Sequence, residues 1–293
     1  MKTLVHGSTE YNALKIEILE KAGVLKTEDF KPSIAVRNRI NHLKSRLRET
    51  NQKGYVLGIS GGVDSTTVGR LCQLACEELR AEGYQAQFIA VRLPAGVQRD
   101  EADAQVAIRF INADKIITVN VGDAANLLSV QGAESFRQLE GNLSASQEDF
   151  NLGNIKCRLR MVVQYQLAAM YQALVVSTDH NGENVTGFFC KFGDGAADQV
   201  ILYGEQGNGV NKRQVRLMAK DLGAPQALYE KLPTADLEEL KPGKIDDEGF
   251  GFSYNLLDDF LEGKEIDIET EQKIIQLYIG TQHKRDPIPF FLG

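Results

Sequence analysis

Between Gly58 and Ser65 the chain carries residues whose types and spacing suit the grip of a phosphate chain. Gly58, Ser60, Gly61, Gly62, Asp64 and Ser65 lie between a short apolar run and a helical pattern. Glycines let the backbone turn tightly and come close to a ligand. A helix starting after Ser65 presents free N–H groups and the positive end of its dipole to the loop. Ser60 and Ser65 add hydroxyl donors, and a dianionic pyrophosphate fits such a site. Asp64 would repel phosphate unless a cation lies between them. That points to Mg²⁺, which is commonly held by one or two carboxylates plus phosphate oxygens. The loop is not a Walker A loop, and its glycines at 58, 61 and 62 do not fit GxGxxG either. A plain strand-to-helix turn with Asp64 as its cap is the alternative, but a cap accounts for one residue of the set.

These residues need a scaffold, and the surrounding pattern supplies one. Tyr55 to Ile59, Gln87 to Leu93, Ile116 to Val121 and Leu174 to Thr178 read as strands, with Thr66 to Glu82, Glu101 to Ile111 and Asn154 to Gln172 as helices between them. The alternation predicts an α/β fold, a doubly wound parallel sheet with helices on both faces and right-handed crossovers. Ligands of such sheets bind beyond the carboxyl ends of the strands, here Ser60, Leu93, Val121 and Ser177. Residues 1–31 read as an N-terminal segment with a short helix around Asn12 to Ala22. Residues 32–293 form the α/β body with C-terminal helices and a tail, the whole being a single domain. A longer helix opens at Pro32 and Ser33, with Val36, Ile40, Leu43 and Leu47 on one face. The glycine-rich stretch from Gly182 to Gly209 reads as a long loop. Lys212 to Leu222, Tyr254 to Leu261 and Ile268 to Ile279 read as helices, and Pro233 to Gly251 as an acidic, broken stretch.

Composition narrows the function classes. The 293 residues carry a formal net charge of −7, with basic spots at Arg37 to Arg48 and His283 to Arg285 but no basic domain, which disfavours nucleic acid as a partner. No apolar run is long enough to span a bilayer, and the N-terminus lacks the apolar centre of a secretory signal, so a cytoplasmic enzyme with no membrane partner is expected. Cys72, Cys76, Cys157 and Cys190 form no CxxC pair and read as reduced thiols acting as small hydrophobes.

The SGGVDS loop after a buried strand resembles that of the ATP pyrophosphatase superfamily, whose members break ATP between the α and β phosphates and adenylate their substrate. The loop alone leaves the substrate open, since GMP, asparagine and argininosuccinate synthetases and tRNA-thiolating enzymes share it. Six further blocks are more specific. VRLPAGVQRDEADAQVAI (91–108), GNIKCRLRM (153–161), STDHNGENVTGFFCKFGDGAAD (177–198), NKRQV (211–215), PTADLE (233–238) and HKRDPIPF (283–290) resemble the ammonia-dependent NAD synthetases, in family order. The resemblance is to the bacterial single-domain form and implies an adenine nucleotide alpha hydrolase-like fold. It also implies ATP, deamido-NAD (nicotinic acid adenine dinucleotide) and ammonia as substrates, Mg²⁺ as cofactor and a homodimer that binds substrate partly across its interface. Carried onto this chain, it gives Gly58, Ile59, Ser60, Gly61, Gly62, Val63, Asp64, Ser65, Thr178, Lys212 and Thr234 to ATP. Asp64 and Glu183 would share the metal. Arg158, Lys191, Asp198, His283 and Lys284 would bind the dinucleotide, with Asp64 and Lys191 acting in catalysis. The long helix 154–172 becomes a candidate interface element.

The implied reaction sets its own demands. A carboxylate resists ammonia because its oxygen is a poor leaving group. Attack of the nicotinate carboxylate on the α-phosphorus of ATP gives an acyl adenylate and pyrophosphate, and ammonia then displaces AMP. No covalent enzyme intermediate is needed, so positioning and charge neutralisation carry the catalysis. Ammonium must lose a proton, and an aspartate near the site is the expected acceptor, not identified by sequence. A glutaminase domain needs a nucleophilic cysteine in a few hundred further residues, so free ammonia is the expected nitrogen donor. Three departures from the family pattern stand out: a long glycine-rich approach to Lys212 from Tyr203 to Asn211, Cys190 where threonine is common, and Ala95 where tyrosine is expected. The other readings are a different amidating or thiolating enzyme of the superfamily, and a nucleotide-binding module without chemistry.

Overall fold

The structure is a computed structural model that describes residues 4–96, 101–231, 240 and 246–291. Its elements run α1 (Thr9–Ala22), α2 (Pro32–Thr50), β1 (Gly54–Gly58), α3 (Val63–Ala81), β2 (Gln87–Arg92), α4 (Glu101–Ile111) and β3 (Lys115–Thr118). Then come α5 (Gly122–Glu140), α6 (Ala145–Tyr171), β4 (Leu174–Ser177), α7 (Asn181–Thr186), β5 (Gln199–Val200), α8 (Lys212–Asp221) and α9 (Gln226–Tyr229). After these follow α10 (Asp246–Phe250), α11 (Tyr254–Leu261), α12 (Ile268–Gly280) and α13 (Gln282–Arg285).

The strands pair in the order β3-β2-β1-β4-β5, all parallel. The central strands are continuous apolar runs because both faces are covered. Successive side chains of β1 point to opposite faces. Tyr55 and Leu57 join Leu43 and Leu47 of α2, Leu71 and Leu79 of α3 and Val215 and Met218 of α8. Val56 joins Ile89, Val91 and Val175, with Leu159, Val163 and Leu167 of α6 against them. The sheet is therefore doubly wound, as its alternating sequence predicts. A third apolar cluster packs Ile18 of α1 with Leu257 and Phe260 of α11 and Ile274 of α12. Strand order reverses between β1, which continues to β2, and β4, which lies on its other side. That reversal is the topological switch point where open α/β sheets bind ligands.

Several expectations need correction. Helix α3 begins at Val63, inside the phosphate loop, because Gly62 takes the cap position. Helix α6 begins at Ala145 and not Asn154, since Ser144 and Gln147 form a reciprocal capping box there. Helix α5 was not expected at all. Its apolar residues Leu127, Leu128, Val130, Phe136 and Leu139 are exposed in the monomer, so no buried stripe marks it. The stretch from Gly182 to Gly209 is not one long loop but holds α7 and β5. Most of Pro233 to Gly251, including Thr234, lies outside the described residues.

Candidate active site

The phosphate loop is shaped before any ligand arrives. Ser60 Oγ and Ser65 Oγ lie 3.1 Å apart, the Ser60 N–H donates to Ser65 Oγ at 3.3 Å, and the Gly62 N–H donates to Ser60 Oγ at 3.2 Å. Gly61 has φ +92, and a Cβ there would stand 2.9 Å from the Ala104 backbone of α4, so only glycine closes the turn. Helix α6 reaches the other side, where Gln164 Oε1 accepts from the Gly58 N–H at 2.7 Å. Ile59 and Val63 are the buried anchors of the loop. The first N–H groups of α3, which a helix leaves outside its own ladder, follow directly on this loop, an arrangement suited to an anion.

Asp64 is not the cap of α3. Its Oδ2 accepts from Lys212 Nζ at 2.7 Å, and Glu183 Oε1 lies 4.0 Å from the same ammonium. Burial alone would raise the Asp64 pKa, but the Lys212 charge and its hydrogen bond outweigh it and hold the carboxyl below its ordinary value. Asp64 Oδ1 is buried without a hydrogen-bond partner among the described residues. Two carboxylates thus converge on one cation, with an oxygen atom to spare. Hard oxygen donors of this kind suit Mg²⁺, completed by phosphate oxygens. No cluster of three metal-binding side chains occurs among the described residues.

His180 and Tyr254 wall this group. Lys212 Nζ lies 4.9 Å from the Tyr254 ring centroid, and the His180 ring is 5.8 Å from the Tyr254 ring. His180 is fully buried, its Nδ1 accepts from the Gly182 N–H at 3.0 Å, and Nε2 lies 3.6 Å from Glu183 Oε1. The neutral ring therefore carries its proton on Nε2, towards the carboxylate. Burial, then the Lys212 charge, pulls the His180 pKa down to about 3. An unfolded chain binds a proton here below its ordinary value of 6.5 while the native one does not until about 3. Stability from this residue is present above that ordinary value and falls with pH across that window, by about 1.4 kcal/mol per pH unit. Urea unfolding at stepped pH should show this slope in the wild type and lose it in His180→Gln.

Lys212 is carried into the site by a second layer of contacts. Asn211 caps α8, Asp258 accepts from the Lys212 and Arg213 N–H groups at 3.1 and 2.8 Å, and Glu262 accepts from Asn211 Nδ2 at 2.9 Å. Glu262 also takes the Thr27 N–H and hydroxyl and pairs with Arg213 and Lys264. Burial opposes its charge, but these donors, Lys264 and Thr27 first, hold its pKa down to about 2. The unusually long approach from Tyr203 to Asn211 is fixed by Asn181, which bonds Ala22, Gly204 and Val210, and by Arg39, which bonds Ile201 and Asn208. Breaking a buried charge network typically costs about 3–5 kcal/mol. Glu262→Ala should lower unfolding stability by that order in a denaturant titration, and an unchanged midpoint would contradict the scaffold role.

A basic group lies across the carboxyl end of β4. Lys284 Nζ donates to the Gly187 and Phe189 carbonyls at 2.8 Å each, and Lys191 Nζ donates to the His283 carbonyl. Burial lowers the Lys284 pKa, and the neighbouring Arg285 and Arg158 charges add to that. Phe192, next to Lys191, has φ +62, a conformation that costs a non-glycine residue energy and marks a constrained turn. Ser177 Oγ donates to the Asp194 carbonyl at 3.1 Å and accepts from the Asp179 N–H at 3.2 Å. Residues 177–179 thereby join the two halves. Half-buried Asp179 has its pKa raised well above the ordinary value by burial, then by the Asp194, Glu183 and Asp64 charges.

A family model described as NAD synthase matches residues 35–288. The chain belongs to the NAD synthase family. Its relatives include the NH(3)-dependent NAD(+) synthetases of Shewanella amazonensis and Psychromonas ingrahamii. The first is 48% identical over 94% of this chain and 99% of its own length, the second 47% identical with the same coverage. Among solved structures, NAD+ synthetase from Burkholderia pseudomallei is 42% identical with a TM-score of 0.76, covering 94% of this chain and 96% of its own. NMN synthetase from Francisella tularensis is 29% identical with a TM-score of 0.75, covering 90% and 100%. Family membership makes the chain a ligase, as its sequence blocks imply, with the fold those blocks imply.

Of the residues singled out by sequence, the loop from Gly58 to Ser65, with Lys212, Glu183 and Thr178 at the end of β4, meets at the switch point. Arg158, Lys191, His283 and Lys284 gather on the other side of β4. Asp198 stands apart from the phosphate loop: its Oδ2 accepts from the Val175 N–H at 2.8 Å, and Tyr165 bonds it as well. Thr234 lies outside the described residues. His180, Asp179, Gln164 and Asp258 were missed. His180 and Asp179 sit within the 177–198 block, and only their burial beside Asp64 reveals them.

Proposed function

We propose that this chain uses ATP to join ammonia to deamido-NAD, giving NAD, AMP and pyrophosphate. The observation that carries the reading is the convergence of Asp64, Glu183 and Lys212 at the mouth of a preformed phosphate loop, with a basic group across β4. The loop N–H groups and the Ser60 and Ser65 hydroxyls hold the β- and γ-phosphates, and Thr178 and Lys212 complete the ATP contacts. Asp64 and Glu183 hold Mg²⁺, which when bound supplies charge neutralisation on the phosphates. Arg158, His283 and Lys284 take the dinucleotide, with Asp198 offered to its ribose, and Lys191 faces the charge that develops as the carboxylate is adenylated. Asp179 is the carboxylate we assign to take the proton of ammonium. We place this chemistry in the cytoplasm; no described helix is long and apolar enough to cross a membrane.

The similarity to NMN synthetase supports a second reading, in which the mononucleotide is amidated. The two are separated by kcat/KM for deamido-NAD against nicotinic acid mononucleotide, with ammonium as nitrogen donor. The basic group of Arg158, Lys191, His283 and Lys284, additional to the ATP loop, favours the dinucleotide, and preference for the mononucleotide would sink the proposed substrate. Glutamine as sole donor should give no NAD.

A homodimer is proposed through α5 and α6. Leu127, Leu128, Val130 and Leu139 of α5, with Phe150 and Val162 of α6, expose apolar surface of the kind that subunit interfaces cover. Arg158 lies on the same helix as Phe150 and Val162, so an interface there borders the dinucleotide side. Sedimentation should report a dimer, and Leu127→Glu should shift it towards monomer while raising KM for deamido-NAD; a wild-type monomer would contradict it. The N-terminal segment is read as part of the same domain, since Ile18 of α1 packs with α11 and α12.

A further inference from the structure

Two cysteines face each other inside the dinucleotide side of the site. Cys157 is on α6, next to Arg158, and Cys190 opens the turn that carries Lys191 and Asp194. A side chain at Gly193 would meet Cys157 Sγ at 2.7 Å and Cys190 Sγ at 3.1 Å, so both sulfurs border the same small space. Further contacts lock them in place. Cys157 Sγ accepts from the Asp194 N–H at 3.3 Å, Cys190 Sγ, in its thiol form, donates to Asn154 Oδ1 at 3.3 Å, and Asp194 Oδ1 accepts from the Cys190 N–H at 2.6 Å. Cys157 is buried and Cys190 is half-buried, so a small oxidant reaches the second first.

We propose that Cys190 and Cys157 are a peroxide-sensitive pair that closes to a disulfide and thereby switches off dinucleotide binding. Cys190 is the residue attacked and Cys157 the resolving thiol. The Cys190 thiolate attacks one oxygen of hydrogen peroxide; a sulfur–oxygen bond forms, the oxygen–oxygen bond breaks, and hydroxide leaves to become water. Cys190 is oxidised to the sulfenic acid and the peroxide is reduced. Cys157 sulfur then attacks the Cys190 sulfur, the sulfur–sulfur bond forms, and hydroxide departs with the Cys157 proton as a second water. The local charges favour the first step. Its contact with Cys157, with the Arg158 and Lys284 charges, outweighs burial and lowers the Cys190 pKa to about 7, which favours the thiolate there. The Cys157 thiol is pushed up by its contact with Cys190 and by burial, which keeps it the protonated partner. Cys72 and Cys76 are buried in the core with raised pKa values, and provide inert thiols in the same molecule.

The bond would staple α6 to the 190–194 turn. Arg158 and Lys191 are the immediate chain neighbours of the two sulfurs, and Asp194 is hydrogen-bonded at both. Drawing the sulfurs to bonding distance displaces these groups together. Misplacement of about 1 Å costs roughly 100-fold in rate when positioning carries the catalysis.

The reduced full-length protein is treated with stoichiometric hydrogen peroxide, alkylated and mapped by peptide mass. The expected result is loss of two of the four thiols as one Cys157–Cys190 cross-link, reversed by dithiothreitol, with Cys72 and Cys76 still alkylated. NAD formation should fall about 100-fold on oxidation and return on reduction. Cys157→Ala and Cys190→Ser, each compared with its own reduced form, should show no peroxide-dependent loss. Oxidation of Cys190 to the sulfinic acid with Cys157 untouched, or no loss of thiols, overturns the pair. A cross-link with unchanged activity overturns the switch. The switch rests on the dinucleotide reading of the neighbouring residues, whereas the cross-link does not. Protein that forms the bond but makes no NAD even when reduced would therefore refute the proposed activity and leave the pair standing.

Discussion

Asp64→Asn should lower kcat/KM for NAD formation by about 10²–10³-fold or more, the usual effect of removing one group that stabilises transition-state charge. The side chain keeps its shape but loses the negative charge that now pairs with Lys212 at 2.7 Å. Asparagine holds Mg²⁺ poorly, so the loss should lessen as Mg²⁺ is raised. KM for deamido-NAD should move little, because its proposed contacts lie across β4. The fold should survive, since Glu183 remains 4.0 Å from the Lys212 ammonium. Wild-type turnover in this variant would remove Asp64 from the metal site and return the loop to a plain strand-to-helix turn.

Lys212→Met should be nearly as damaging to turnover, and its effect on stability is the more informative. Without the ammonium, Asp64 loses the charge that pairs with it at 2.7 Å, and Glu183 loses the same charge at 4.0 Å. An uncompensated buried charge costs about 3–5 kcal/mol, offset in part as one carboxyl takes up a proton. Mg²⁺ can replace the missing charge. Millimolar Mg²⁺ without nucleotide should therefore raise the melting temperature of Lys212→Met by several degrees, and that of the wild type, where lysine already neutralises the pair, by far less. Equal shifts in both would mean that the lysine and the ion do not share a site.

Much of this arrangement was legible in the sequence because it depends on local order. The apolar runs of β1, β2 and β4 and the helices between them dictate a parallel sheet, and a glycine-serine loop after β1 then falls at the carboxyl edge without further information. The places of Asp64 and Glu183 after β1 and β4 put both at the ligand edge, and the family resemblance paired them. The pairing with Lys212 needed tertiary structure, since the ammonium arrives from α8 on a frame built by Asn211, Asp258 and Glu262. Helix α5 escaped because its apolar residues are exposed, so there is no buried periodicity to read. The role of His180 escaped for the opposite reason: a single histidine in a polar block carries no signal until its ring is found buried between Tyr254 and Glu183. The nearness of Cys157 to Cys190 is likewise invisible at their separation in the chain.

The central claim is that the loop and the basic group act on one bond, by adenylating a carboxylate. Deamido-NAD bearing heavy oxygen in its nicotinate carboxylate tests this directly, with ATP, Mg²⁺ and ammonium supplied and the products resolved by mass spectrometry. If the carboxylate oxygen attacks the α-phosphorus, that oxygen stays on phosphorus when ammonia breaks the carbon–oxygen bond. Each NAD formed should then be matched by one labelled AMP and one unlabelled pyrophosphate. Label in inorganic phosphate with ADP as the other product, or AMP formed without label, would contradict the account.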